Sequence, residues 1–229
     1  MSVRERDDPA LYTRIQEQNL LRQYDLLSNC IEIGLKKGIE AFDKYTLWAL
    51  NYAAVSNICQ LGGRYREGPI RVGNHVPPHF NDVPNLMDAF FSIIHENWTI
   101  VDHPTLLPAF ALWNLNWIHP FIEGNGRTAR AACYYLICMK QGRILGGRKT
   151  VPERIRENRN PYISGLQAAD LAYEKGQYDV ADFGQVLGGS LEGPIVRGLT
   201  SPGFTEYTGS NPGPSQYPPG SCSRTRHQP

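Results

Sequence analysis

His119-Pro120-Phe121-Ile122-Glu123-Gly124-Asn125-Gly126-Arg127-Thr128-Ala129-Arg130 stands between two helix-like segments, and its reading decides the rest of the chain. Residues 104–118 before it carry Leu, Phe and Trp around most of a helical circumference, which predicts a buried helix ending at His119. Pro120 stops that helix from running on through the motif. Gly124-Asn125-Gly126 then permits unusual main-chain angles, so successive N–H groups can converge on one point. A second helix is expected from about Asn125 to Lys140, ending at Gly142, with its positive end aimed at that same point. Such an arrangement favours a phosphate. Arg127 and Arg130, three apart, leave the same side of this helix and offer guanidinium forks to phosphate oxygens. Glu123 is a hard oxygen donor suited to the Mg²⁺ that accompanies nucleotide phosphates. His119 supplies a base that titrates near neutrality. Taken singly, a histidine at a helix end, a Gly-Asn-Gly turn and a pair of helical arginines are usually structural. In one twelve-residue window they point to phosphate chemistry.

Outward from this motif, the 229-residue chain is 41% hydrophobic and 20% charged, with 23 Lys+Arg against 22 Asp+Glu. That size suits one globular domain, or one domain and a tail. The near-zero balance lacks the basic excess of a dedicated nucleic-acid binder. The most apolar stretch, residues 105–118, is too short to cross a bilayer, and the charged first residues lack a signal-peptide apolar region. Five cysteines without a CxxC pair argue for a reducing compartment, so a cytoplasmic location is expected. From Gly188 to Pro229, 21 of 42 residues are Gly, Pro or Ser, which predicts a flexible tail. Residues 1–43 are assigned to an N-terminal helical segment and 44–187 to a catalytic domain. Leu11, Ile15, Leu21, Tyr24, Leu27, Ile31 and Leu35 recur at mostly helical spacing in the first segment. Further helices are predicted over 44–60, after a cap at Asn81 or Asp82, at Pro152, at Pro161, and over 179–187. Arg64-Tyr65-Arg66 and Ile70-Arg71-Val72 flank Glu67-Gly68-Pro69, which suggests a short hairpin.

The motif resembles the signature of the Fic domain family, His-x-Phe-x-Asp/Glu-Gly-Asn-Gly-Arg-x-x-Arg, with every fixed position present. Gly63-Arg64-Tyr65-Arg66 and Arg71-Val72-Gly73-Asn74-His75-Val76-Pro77-Pro78 look like the family's flap. Pro161-Tyr162 through Asp182-Phe183 looks like its closing helices, so the likeness spans about residues 44–187. The fold it implies is mainly α: a Fic-type helical domain of about seven or eight helices with one short β-hairpin flap. The activity it implies is protein adenylyltransfer, in which AMP passes from Mg-ATP to a Ser, Thr or Tyr hydroxyl of a target protein and pyrophosphate leaves. By that resemblance His119 is the base and Glu123 ligates Mg²⁺. Asn125 with the N–H groups of Gly124 and Gly126 forms the anion hole, while Arg127 and Arg130 hold the β- and γ-phosphates. Phe121 packs as a structural residue. The flap (Arg64, Tyr65, Arg66, Ile70, Arg71 and Val72) would dock an extended target segment by strand addition. Asp170 stands where the family often places an Asn near adenine, which leaves the base preference open.

Other functions stay in contention: transfer of another phosphate-containing group, a de-modifying or hydrolytic enzyme, and a catalytically silent nucleotide-binding module. The expected partner is a target protein with an exposed hydroxyl, with no nucleic acid and no membrane; an antitoxin-like inhibitory protein and a homo-oligomer are open. Fic proteins are often restrained by a glutamate in a Ser/Thr-x-x-x-Glu-Gly/Asn helix. Ser28 to Glu32 fits upstream, with Ile33 in the last place, so Glu32 is expected to pair with Arg130. Ser92 to Asn97 fits the letters but stands between flap and motif. Truncation after Leu187 should leave the thermal midpoint nearly unchanged; a fall of more than about 4 °C, or upwards of ~1 kcal/mol, would show that the tail docks on the domain.

Overall fold

The computed structural model describes residues 7–73, 75–146, 157–176 and 179–180. The tail from 188, the helices expected at Pro152 and over 179–187, and Asn74 therefore lie wholly or largely outside the described residues. Among the described residues there are six α-helices: α1 Pro9–Lys37, α2 Lys44–Val55, α3 Val83–Asn97, α4 Leu106–Ile118, α5 Asn125–Gln141 and α6 Arg159–Glu174, with 3₁₀ turns at Ile39–Ala41 and Phe80–Asp82. None of these helices is long and apolar enough to cross a membrane.

Each helix begins where local chemistry allows it. Asp8 accepts from the Leu11 N–H at 2.9 Å ahead of Pro9, and Asp43 accepts from the Thr46 N–H at 2.8 Å. Asp82 occupies the cap position of α3 but makes no side-chain cap bond, so the expected cap is right in place and not in chemistry. Pro161 falls in the first turn of α6.

The expected hairpin does not form. Among the described residues there is no β-strand, only an isolated bridge between Val72 and His75. The reason lies in where the donors go. The Arg66 N–H is taken by the Pro120 carbonyl at 2.8 Å, and Pro69 has no N–H to offer. Residues 64–72 are therefore spread along the end of α4 instead of against one another.

The core sits on α4, buried along nearly its whole length, with α5 as its principal partner. α3 covers one side of α4, and α1 and α2 cover α5. Phe42 stacks on Tyr135 with ring centroids 5.0 Å apart, and Phe90 stacks on Phe110. The buried stripe of α1 is Ile15, Asn19, Gln23, Leu27, Ile31 and Gly34, whereas Leu11, Leu21, Tyr24 and Leu35 are exposed. The apolar period in the sequence thus runs beside the true seam, because two amides occupy core positions. They are satisfied by the end of α2: Asn19 donates to the Ala54 and Ser56 carbonyls, and Gln23 to the Leu50 carbonyl.

Gly34 lets α1 approach α5 closely. A Cβ there would lie 2.1 Å from the Tyr135 hydroxyl and 2.8 Å from the Met139 sulfur. The Tyr135 ring is fully buried and stacked, so it has no room to give. Gly34→Ala should therefore lower stability by about 1–3 kcal/mol through overpacking, read as a drop of several degrees in thermal unfolding. An unchanged midpoint would mean that the two helices are not in this close register.

Candidate active site

The motif forms one cleft of about 250 Å³ lined by His119, Ile122, Glu123, Gly124, Asn125, Gly126, Arg127 and Arg130. α4 delivers His119 at its end, in the left-handed region at φ 51° and ψ 59°. A non-glycine residue rarely adopts that conformation, and it is what turns the chain out of α4. Gly124, also left-handed at φ 79°, opens α5. It is required for space as well: a Cβ there would lie 2.5 Å from a Val55 methyl and 3.2 Å from the Asn51 amide.

The loop is held from inside. Asn125 is buried, and both ends of its amide bond the main chain of Phe121, at 2.9 Å and 2.8 Å. Its side chain therefore staples the loop, with one of the two amide N–H groups committed to Phe121. The first bond within α5 runs from the Thr128 N–H to the Gly124 carbonyl, which leaves the N–H groups of Asn125, Gly126 and Arg127 at the helix end without main-chain partners. Asn51 of α2 donates to the Glu123 carbonyl at 2.9 Å and to the Thr128 hydroxyl at 3.1 Å, and accepts from the Gly63 N–H at 2.9 Å. Sequence reading missed Asn51, although a lone Asn inside the apolar α2 segment was the available signal.

Charge is distributed unevenly across the cleft. Arg127 donates to the Ala54 carbonyl at 2.7 Å and lies 3.3 Å from Glu123. Arg130 is half-buried with no hydrogen-bond or carboxylate partner among the described residues, and burial lowers its affinity for a proton. A guanidinium left without an anion in such a place is suited to receive one. Glu123 uses Oε1 for Arg127 and for the Gly124 N–H, while Oε2 has no partner among the described residues and the side chain is 48% exposed.

The His119 Nδ1 lies 3.2 Å from the Asn116 carbonyl, which fixes it as the protonated nitrogen and leaves Nε2 unprotonated, with no partner among the described residues. Burial, with Arg66 and His75 nearby, pushes the imidazole down to about 4. It is thus neutral, and able to accept a proton, throughout the neutral range.

The flap residues are dispersed. Arg64, Arg71 and Val72 are exposed, Ile70 is half-buried, and Tyr65 packs between Trp48 and Phe121 with its phenol pushed up by burial. Arg66 is buried at 3% exposure. Glu32 is exposed on α1, where Ser28 bonds the Tyr24 carbonyl, and no ion pair joins Glu32 to Arg130. The structure does not bring those two together. Asp170 accepts from the Trp113 indole at 2.8 Å.

Residues 41–137 match the Fic/DOC family. That segment, which holds the whole motif, is of the Fic/DOC family. Protein adenylyltransferase Fic of Aedes aegypti is 42% identical over 111 residues, covering 48% of this chain and 20% of that protein. The Drosophila willistoni protein of the same name is 34% identical over 117 residues, covering 51% and 23%. This chain thus spans about a fifth of the length of those relatives. Among solved structures, Fic-1 from C. elegans superposes with TM-score 0.57 at 22% identity, covering 76% of this chain and 47% of that one. A Fic domain containing signaling protein from Bacteroides thetaiotaomicron gives 0.55 at 16%, covering 72% and 60%. Both likenesses are of fold.

The lowered imidazole has a consequence for stability. An unfolded chain protonates His119 near pH 6.5, while the folded protein resists until about 4, so the stability held by the neutral ring is complete above pH 6.5 and falls as the pH drops toward 4. Asn tolerates the left-handed conformation. His119→Asn should therefore flatten the acid side of the stability curve by up to about 3 kcal/mol between those values, measured by urea unfolding. An unchanged slope would show that His119 is not held neutral.

Proposed function

We propose that this Fic domain transfers AMP from Mg-ATP to a Ser, Thr or Tyr hydroxyl of a target protein, releasing pyrophosphate. The observation that carries this reading is convergence on one cleft of an unprotonated imidazole nitrogen, two guanidinium groups and the N–H end of α5. The likeness to protein adenylyltransferases of Aedes aegypti and Drosophila willistoni supports the AMP-transfer part.

The residues divide the work by charge and position. The N–H groups at the start of α5 face the α-phosphate, where negative charge grows as the hydroxyl oxygen attacks phosphorus. Arg127 and Arg130 hold the phosphates beyond it. His119 Nε2 takes the hydroxyl proton as the new P–O bond forms and the bond to pyrophosphate breaks. Glu123 suits Mg²⁺ because Oε2 is uncommitted and exposed, and that ion is usually held by one or two carboxylates plus the substrate's phosphates. When bound, the ion supplies charge neutralisation for the leaving pyrophosphate. Exposed Arg71 and Val72, on the segment that also carries Arg66, are available to a target chain without any strand pairing.

Incubation with ATP labelled on the α- or the γ-phosphate, in a lysate, tests the reaction. The α-label should pass to protein and the γ-label should not. His119→Asn should reduce that transfer about 100-fold or more while Mg-ATP affinity stays within about threefold. Transfer of the γ-label would make the domain a phosphotransferase, free AMP or ADP alone would make it a hydrolase, and undiminished labelling by the variant would remove His119 as the base.

A further inference from the structure

Four consecutive carbonyls at the end of α4 are each taken by a donor from one short segment. The Trp117 carbonyl accepts from His75 Nε2 at 2.8 Å, the Ile118 carbonyl from Arg66 Nη2 at 3.3 Å, the His119 carbonyl from Arg66 Nε at 2.9 Å, and the Pro120 carbonyl from the Arg66 N–H at 2.8 Å. The same guanidinium also reaches the Pro78 carbonyl at 2.6 Å and the Gly68 carbonyl at 3.3 Å. No carboxylate pairs with Arg66 among the described residues, although it is almost completely buried. A buried cation without an anion is costly unless its donors are met, and here main-chain carbonyls meet four of the five guanidinium N–H groups. The negative end of the α4 dipole lies at the same place.

We infer that Arg66 is a positioning residue for His119: its guanidinium fixes the left-handed main chain that turns the imidazole into the phosphate cleft, and ties Gly68 and Pro78 to the same turn. This assignment rests on the reading of His119 as the transfer base. It replaces the role first expected of Arg66, a target-docking side chain, with an internal one. Its position suits the task. The arginine touches the carbonyl of the residue to be oriented and those on either side of it, so a sideways shift of the main chain breaks several bonds together. The charge acts on the imidazole as well. Arg66 stays protonated at neutral pH, since burial lowers it only to about 10, and it disfavours a second positive charge on His119. The other groups facing that ring are His75 on the same segment, the Asn116 carbonyl on α4, and Glu123, Arg127 and Arg130 across the cleft.

Two variants separate the fork from the charge. Arg66→Met keeps the apolar stem and removes both; Arg66→Lys keeps the charge and loses the fork. Each is made in the full chain and compared by kcat for AMP transfer, Mg-ATP affinity, and the pH titration of the His119 ring proton by NMR, assigned among the six histidines with His119→Asn. Arg66→Met should lower kcat by about 100-fold, the order expected for a misplaced catalytic group, with Mg-ATP affinity within about threefold. Its His119 titration should move up toward the ordinary histidine range. Arg66→Lys should titrate His119 close to the wild-type value and recover part of kcat. Should Arg66→Met fail to fold, the same titration and kcat in Arg66→Lys decide the matter: an unchanged kcat there overturns the proposal. So does a folded Arg66→Met with wild-type kcat or an unmoved His119 titration, and so does parallel loss of kcat and ATP affinity, which is a structural effect alone. If the wild-type protein transfers no AMP but the titration moves as stated, the functional reading fails and the positioning of His119 stands.

Discussion

A helix that ends inside a protein must find donors for its last carbonyls, and α4 ends at the histidine the chemistry needs. Most of the donors come from one buried residue, through its guanidinium and its own N–H. Arg66 and its neighbour His75 meet the carbonyls from Trp117 to Pro120, so the chain can leave α4 through a left-handed residue without stranding polar groups. Everything that follows in the motif depends on that exit. Only from there can Phe121 drop into the core, Asn125 staple its main chain, and α5 start with its N–H end facing back toward the imidazole.

The second support is α2, whose C-terminal end is gripped from two sides. Asn19 and Gln23 reach its carbonyls from α1, while Arg127 reaches the Ala54 carbonyl from the motif. Asn51, one turn earlier, holds the Glu123 carbonyl, and Val55 fills the space that a glycine without a side chain leaves at position 124. Thus the phosphate cleft is a joint between α2, α4 and α5, braced by buried amides rather than by ion pairs. Amide bonds to main-chain carbonyls do not titrate, so this bracing is the same at any pH near neutral.

The parts of this arrangement legible in the sequence are those governed by local rules. Apolar periodicity, proline placement and Asp caps located α2 to α6 to within a few residues, and the motif residues of the cleft were named from chemistry and resemblance together. What failed was long-range. Residues 64–72 have turn-like punctuation suited to a hairpin, but the donors of Arg66 are captured by the end of α4, a partner fifty residues away that no local pattern reveals. Asn19 and Gln23 were hidden for the same reason: an amide at a core position is read as surface until its acceptor is known. Glu32 shows the converse, since a pattern of letters suggested a pair that the packing of α1 on α5 does not make.

The core runs across the boundary drawn at residue 43. α1 contributes Leu27 and Ile31 to the same core as Phe42 and Tyr135, and its Gly34 lies against α5. Its polar stripe holds the helix end that in turn holds Arg127. The two amides shape the wall of the site without touching it, through carbonyls they share with the motif. A segment outside residues 41–137 thus acts on the phosphate clamp by geometry: Asn19 and Arg127 meet at the Ala54 carbonyl, and a shift of α1 along α2 would alter the acceptor that keeps Arg127 extended beside Glu123. Judged by which groups satisfy which carbonyls, the support of the cleft begins in α1.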